Sequence, residues 1–431
     1  MSEQKIPEKR RKEKLFTANF TFLILGQASS LLGNNTLKFA LSMYVLEQTG
    51  SASVFAGLLS LAMLPTIFLS PFGGILADRV NRRNIMVALD ALSGGTVLIA
   101  SFAMALEHKI FVVGVLLMLL SVFGAFESPT VQACIPQMLS GENIVKGNAV
   151  VNQVASIASL VTPFLGSVFY TVFGIRPVFY AAVLCFFMTA FFECFIHLNA
   201  QKADSKSEMG AAIRDDFLMS LHFLRREQPE ILKLLLLAAA VSLFVAGTAV
   251  VGFPYLVRTV LGLSAAHYGA AESVMGLASV LGSILVVALG SKGQMRGLFG
   301  VIVLLGVCLI TCGAAFLLPL SSFWRYGILL GMFAVCQLGA SLFSTYAISL
   351  IQERTPEKLM GKIMSYVFTI SMCAQPAGQI IYGALFDRFS DRVFWVLIPS
   401  GLIVTGIGMA SARFFRSLSA VKYDKDNNGV L

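Results

Sequence analysis

The chain has 431 residues, 57% of them hydrophobic and 13% charged, with a mean hydropathy of +0.80. Soluble domains carry about 25% charged residues, so charge this sparse excludes an ordinary water-soluble protein and makes lipid the solvent for most of the chain. The net charge of +9 does not point to nucleic acid, because most of the 32 lysines and arginines fall in the turns and ends assigned below to one membrane face.

Twelve apolar runs are long enough to cross a bilayer, which takes about 20 residues each. They cover 16–46, 52–77, 84–106, 110–135, 148–173, 177–198, 231–257, 265–290, 297–318, 324–350, 360–386 and 392–415. The runs are continuous rather than alternating, which favours helices over a barrel. The first is too long for a cleaved signal and is expected to be retained. An even number of spans puts both termini on one side. The basic start (Lys5, Lys9, Arg10, Arg11) and end (Arg413, Arg416, Lys422, Lys425) make that side the cytoplasm.

The polar break at 199–230 divides the spans six and six. Within it Ile213, Phe217, Leu221 and Leu224 recur at helical spacing among charges, as in a helix lying on a membrane surface. The predicted fold class is therefore an all-α membrane protein of twelve transmembrane helices. Residues 1–198 form one six-helix bundle, 199–230 a cytoplasmic linker, and 231–431 a second bundle with a short cytoplasmic tail. The halves look like a diverged repeat. Gly50-Ser51-Ala52 is echoed by Gly262, Ser264 and Ala265, and Pro163 and Gly166 by Pro376 and Gly378.

The turn after the second run reads Gly74-Ile75-Leu76-Ala77-Asp78-Arg79-Val80-Asn81-Arg82-Arg83. It resembles the loop between helices 2 and 3 of the major facilitator superfamily, Gly-x-Leu-Ala-Asp-Arg-x-Gly-Arg-Arg/Lys. Asn81 stands where that family usually has glycine, and tolerance of a left-handed backbone by Asn is one way to accommodate the change. The resemblance implies a conformational latch of Gly74, Asp78, Arg79, Arg82 and Arg83, braced by Asp90. The second copy of the loop, Gly290 to Arg296, has lost the acidic residue.

Thr162-Pro163-Phe164-Leu165-Gly166-Ser167, then Gly174-Ile175-Arg176 six residues on, resembles the antiporter signature of drug exporters. On residue grounds alone, Pro163, Gly166, Pro376 and Gly378 are helix-bending and close-packing positions. Gly26-Gln27, Thr49 to Ala52, Leu64-Pro65, Ser128-Pro129 and Ile135-Pro136 resemble the macrolide efflux branch of proton-linked exporters. Gly33-Asn34-Asn35-Thr36-Leu37 is also similar to a lysophospholipid-transporter motif, with Asn34 in place of its Asp.

Ionisable groups inside lipid are functional suspects. Glu127, roughly 12 Å from the inner end of the fourth run, is the candidate proton site, with a structural charge as the alternative. Lys38 is a candidate cavity residue, with Gln27, Asn34, Asn35, Asn152, Gln153 and Gln337 as neutral polar contacts. Glu272 reads as a packing or surface residue, and Glu193 with His197 as a boundary pair one turn apart. The seven cysteines form no Cys-x-x-Cys, so no metal or other cofactor is expected. Catalytic and phosphate-binding motifs are absent from the sequence, so neither an enzyme nor an ATP-driven pump is expected. The reading is a bacterial inner-membrane carrier that acts as a monomer. It exports amphipathic drugs or similar molecules in exchange for protons; a lipid-like or metabolite substrate, such as a lysophospholipid or siderophore, is the alternative.

Overall fold

A computed structural model describes residues 15–140, 142–198, 229–289, 297–355 and 357–428. It contains twelve long helices and, among the described residues, no strand. They are α1 Ala18–Thr49, α2 Ala52–Arg79, α3 Arg82–Ala103, α4 Lys109–Met138, α5 Glu142–Phe173, α6 Ile175–Cys194, α7 Pro229–Val260, α8 Ala265–Leu289, α9 Leu298–Leu317, α10 Ser322–Arg354, α11 Glu357–Arg388 and α12 Phe394–Asn428. The expected surface helix of the 199–230 linker and the second loop copy at 290–296 lie outside the described residues.

Among the described residues, ten of the twelve expected helices are long and apolar enough to cross a membrane. Helix α1 falls short, and of α11 only the side chains of 372–388 are described. In α1 the cause is Gln27, Asn34, Asn35 and Lys38, which dilute an otherwise apolar run. Large apolar side chains such as Ile99 (71% exposed), Phe111 (72%) and Trp324 (68%) face outward. In water each would forfeit about 25 cal/mol per Å² of apolar surface; against lipid there is no such penalty.

Helices α1 to α6 pack on one another through α2/α4, α1/α6, α3/α6, α1/α5 and α3/α4, and the second six chiefly through α9/α12, α8/α10, α9/α10 and α7/α11. Two seams join the sets, α2 against α11 and α5 against α8. Short glycine turns set the geometry. Gly50 (φ +60°) ends α1 and Gly262 (φ +66°) follows α7, both in the left-handed region that side chains disfavour. These are the positions the repeat pairs.

Helix α7 departs from expectation. It carries π-type turns at Ser242–Ala246, Thr248–Gly252 and Leu256–Val260. Pro254 lacks an N–H and disrupts the regular ladder, and Thr248 Oγ1 donates to the carbonyls of Phe244 (3.0 Å) and Val245 (2.9 Å). A Cβ on Gly247 would lie 2.7 Å from the Tyr382 ring, so α7 and α11 meet almost backbone to backbone. A hydropathy pattern carries no trace of this register change. The last helix also runs on to Asn428, so the basic end expected as a tail continues it.

Candidate functional site

At the Asn81 end the signature turn binds each neighbour through backbone carbonyls. Arg82 donates from Nε to Ala77 O (2.8 Å) and from Nη1 to Ala133 O (2.7 Å), and Arg83 Nη2 to Cys194 O (2.5 Å). A guanidinium suits this task because its donors form a fixed fork and carbonyls at a helix C-terminus carry partial negative charge. Asn81 is not left-handed (φ −60°). It caps α3 instead, accepting from Arg83 N at 3.1 Å, so capping rather than backbone tolerance explains how Asn replaces Gly. A Cβ on Gly73 would lie 2.6 Å from Ala125 O, which shows how closely α2 and α4 approach. Helix α2 includes Gly74, Asp78 and Arg79, but their side chains lie outside the described part.

Asp90 does not brace that turn. It is wholly buried two turns into α3, where it accepts from Ser30 Oγ at 3.2 Å; the same hydroxyl lies 3.4 Å from Glu127 Oε1. Glu193 of α6, also wholly buried, lies near Asp90, and both of its carboxylate oxygens lack a hydrogen-bond partner. The boundary pair with His197 does not form; His197 N donates to Asn19 Oδ1 (3.1 Å) and its ring Nδ1 lies 2.8 Å from Phe195 O. Carboxyl groups from α3 and α4 thus meet at a serine of α1, with a third from α6 close by. No spacing rule links residues 90, 127 and 193, so sequence reasoning could suspect each alone but not their meeting. Gln27 lies beside Glu127, though its Nε2 has no hydrogen-bond partner.

A cavity of about 330 Å³ lies on the seam, lined from α1, α2, α5, α7 and α8. Asn35 and Lys38 line one wall, Thr162 and Pro163 another, and Tyr268 and Glu272 the third. Phe39 and Tyr268 stack across the seam, with centroids 5.4 Å apart and planes 16° apart. Lys38 is within electrostatic reach of Glu127 despite the difference in their expected depths. Glu272 is a site residue that sequence reasoning set aside, because its nearness to a helix end said nothing about the wall it faces. Asn34 Oδ1 is buried without a partner. Asn152, Gln153 and Gln337 are exposed and are not among the cavity-lining residues.

At the Gly50 end the halves are tied directly. Asp387, on the last turn of α11 and just past the expected span, accepts from Ala52 N (2.7 Å), Ser53 N (3.0 Å) and Ser51 Oγ (2.6 Å). It thereby supplies the N-terminus of α2 with a carboxylate from the other half. Burial pushes its carboxyl up, but these hydrogen bonds outweigh burial and hold it below the usual carboxylate range. Nearby, Glu47 accepts from Tyr170 OH (2.6 Å) and pairs with Arg258 (3.2 Å). Deeper in the seam Ser60 Oγ meets Pro376 O (3.2 Å) and Gln379 Oε1 (3.0 Å), and Ser273 Oγ donates to Leu160 O (3.1 Å). Gly166 packs on the Phe39 ring, and Gly378 against Leu243.

The family model described as Major Facilitator Superfamily matches residues 23–378. The chain belongs to the major facilitator superfamily. It is 25% identical over 383 residues to macrolide efflux protein A of Streptococcus pyogenes, a match covering 88% of this chain and 92% of that protein. It is 26% identical over 391 residues to the uncharacterized MFS-type transporter YfiS of Bacillus subtilis (strain 168), covering 89% and 91%. Among solved structures it resembles the nucleoside transporter NupG (TM-score 0.71, 11% identity, 93% and 99% covered). It also resembles a bacterial homologue of the iron transporter ferroportin in an inward-facing state (TM-score 0.68, 17% identity, 91% and 98% covered). At such identities these structures speak to the fold alone. The chain is a multi-pass membrane protein of the bacterial inner membrane and a transporter of the secondary active type.

Proposed function

We propose that this transporter exports amphipathic organic molecules in exchange for protons, by alternating access about the seam cavity. The twelve helices would form two six-helix bundles with both termini in the cytoplasm, which makes the Gly50 end the outside. The observation that carries this reading is a cavity at the meeting of the halves, charged inside and closed over by the Asp387, Glu47 and Ser60 contacts at one end. The likeness to macrolide efflux protein A supports an amphipathic drug as cargo.

The described hydrogen bonds between the halves all lie toward the Gly50 end, so the arrangement corresponds to a state closed to the outside. Asp78 with its arginines would then act at the opposite end, latching the cytoplasmic side in the other state. Glu127, held by Ser30 and neighboured by Lys38, is the proposed proton carrier, working as a monomer's own internal site. Purified protein in vesicles with an imposed pH gradient tests this. Uphill drug movement with counterflow of protons is expected for the wild type. Glu127→Gln should abolish proton movement while retaining drug binding, and Asp78→Asn should abolish transport at unchanged expression. Proton movement that persists in Glu127→Gln removes Glu127 from the mechanism.

A further inference from the structure

We infer that the seam cavity selects molecules bearing both an amine and an anionic group, with Glu272 receiving the amine and Lys38 the anion. This rests on the transport reading and specifies its substrate class.

Two side chains of opposite charge type share the cavity without meeting. Lys38 and Glu272 both line it, yet no ion pair joins them among the described residues. Counting 1.5 Å per residue, Lys38 lies roughly 17 Å and Glu272 roughly 11 Å from the Gly50 end of their helices. They are thus offset along the membrane normal and stand on walls from different halves. Lys38 is within electrostatic reach of Glu127, on α4 of its own half. Glu272 lies one helical turn from Tyr268 on the same wall, and its Oε2 is buried with no hydrogen-bond partner. Unpartnered charge at membrane depth is expensive and persists where something completes it.

A solute with one charge can satisfy only one wall and is repelled by the other. A solute with both signs satisfies both, and its body lies on Phe39, Phe55 and Leu59. The volume of about 330 Å³ is at the small end for drug-sized ligands, which suits a compact aromatic amphiphile carrying both charges. Because the two charges belong to different halves, the bound solute also bridges them.

The test uses one fluorescent aryl scaffold in three forms: the free amino acid, its methyl ester, and its N-acetyl derivative. Binding is measured on purified full-length protein and transport in vesicles. The wild type is expected to bind the zwitterion about 10-fold or more tightly than either blocked form, a ratio set by one lost charge contact of about 1.4 kcal/mol. Glu272→Gln should erase the preference over the N-acetyl form alone, and Lys38→Met that over the ester alone, with Lys38→Arg retaining both. Competition by lysophosphatidylcholine would support the same charge pattern and assign it to a lipid headgroup; lack of competition assigns it to a free solute. Equal affinity for the three forms, or tightest binding of the ester, overturns the inference even if transport is intact. A preserved binding preference without uphill movement instead overturns the transport reading and leaves this one standing.

Discussion

The two ends of the molecule use charge in opposite ways. At the Asn81 end Arg82 and Arg83 reach carbonyls of α2, α4 and α6, all within the first six helices. At the Gly50 end Asp387 and Glu47 reach across, tying α11 to α2 and α7 to α1. A charge satisfied inside one half survives any movement of the halves. A charge satisfied by the other half is lost when they separate and so biases the equilibrium between states. The arginine turn is therefore fabric in this state, and the Asp387 contact is conditional.

The contrast between the two ends is sharpest at the seam. Gly383 packs so close to α2 that a Cβ would fall 2.6 Å from Ala56 Cβ and 2.9 Å from Ala52 O. Gly383→Leu should therefore prevent closure at the Gly50 end and abolish transport, while the helical content seen by circular dichroism stays the same. Residual transport near the wild-type rate would show that α2 and α11 can separate without cost.

Next in size is Arg82→Gln. It removes two charge-assisted hydrogen bonds within one half, each worth about 1.5–3 kcal/mol, and should lower the melting temperature in detergent in either conformational state. A melting temperature unchanged by that substitution would contradict the division drawn here.

Asp387→Asn tests the conditional contact. Its carboxyl is held below the usual carboxylate range, so the closed Gly50 end is favoured above that range. The contribution is lost as pH falls through the lowered value. External acid and Asp387→Asn should act alike, raising the labelling rate of a Ser60→Cys variant by an impermeant maleimide, in a background free of the seven native cysteines. Acid that accelerates labelling equally in Asp387→Asn would place the sensor elsewhere. Smallest is Glu47→Gln. Its partner ion pair is half exposed on the Glu47 side, and such pairs contribute about 0.2–1 kcal/mol, so the shift should be slight and should vanish in high salt.

Much of the fold was legible because lipid imposes a coarse rule: each crossing needs a long apolar run, and charge collects at the turns. The predicted run 52–77 became Ala52–Arg79, and 265–290 became Ala265–Leu289. Helix α1 fell short for a readable reason, its polar residues, of which Asn35 and Lys38 line the seam cavity. The candidate site was legible only in part. Lys38 and Asn35 reach the cavity, but Asn152, Gln153 and Gln337 do not line it, since a polar residue on a long helix can point in any direction the helix turns it. Glu272 and Glu193 were passed over for the same reason.

The class of molecule follows from local properties of the chain: the scarcity of charge, the positive turns, the paired Gly50 and Gly262, and the signature around Arg82. Which buried groups meet follows instead from helix packing. Asp90 and Glu127 meet because α3 and α4 pack around Ser30, with Glu193 of α6 nearby, and Asp387 caps a helix more than three hundred residues away in sequence. Such encounters depend on how each helix is rotated about its own axis. That rotation is set by side-chain packing against several neighbours at once, and in lipid, where apolar surface is not driven inward, no hydrophobic stripe records it along the chain.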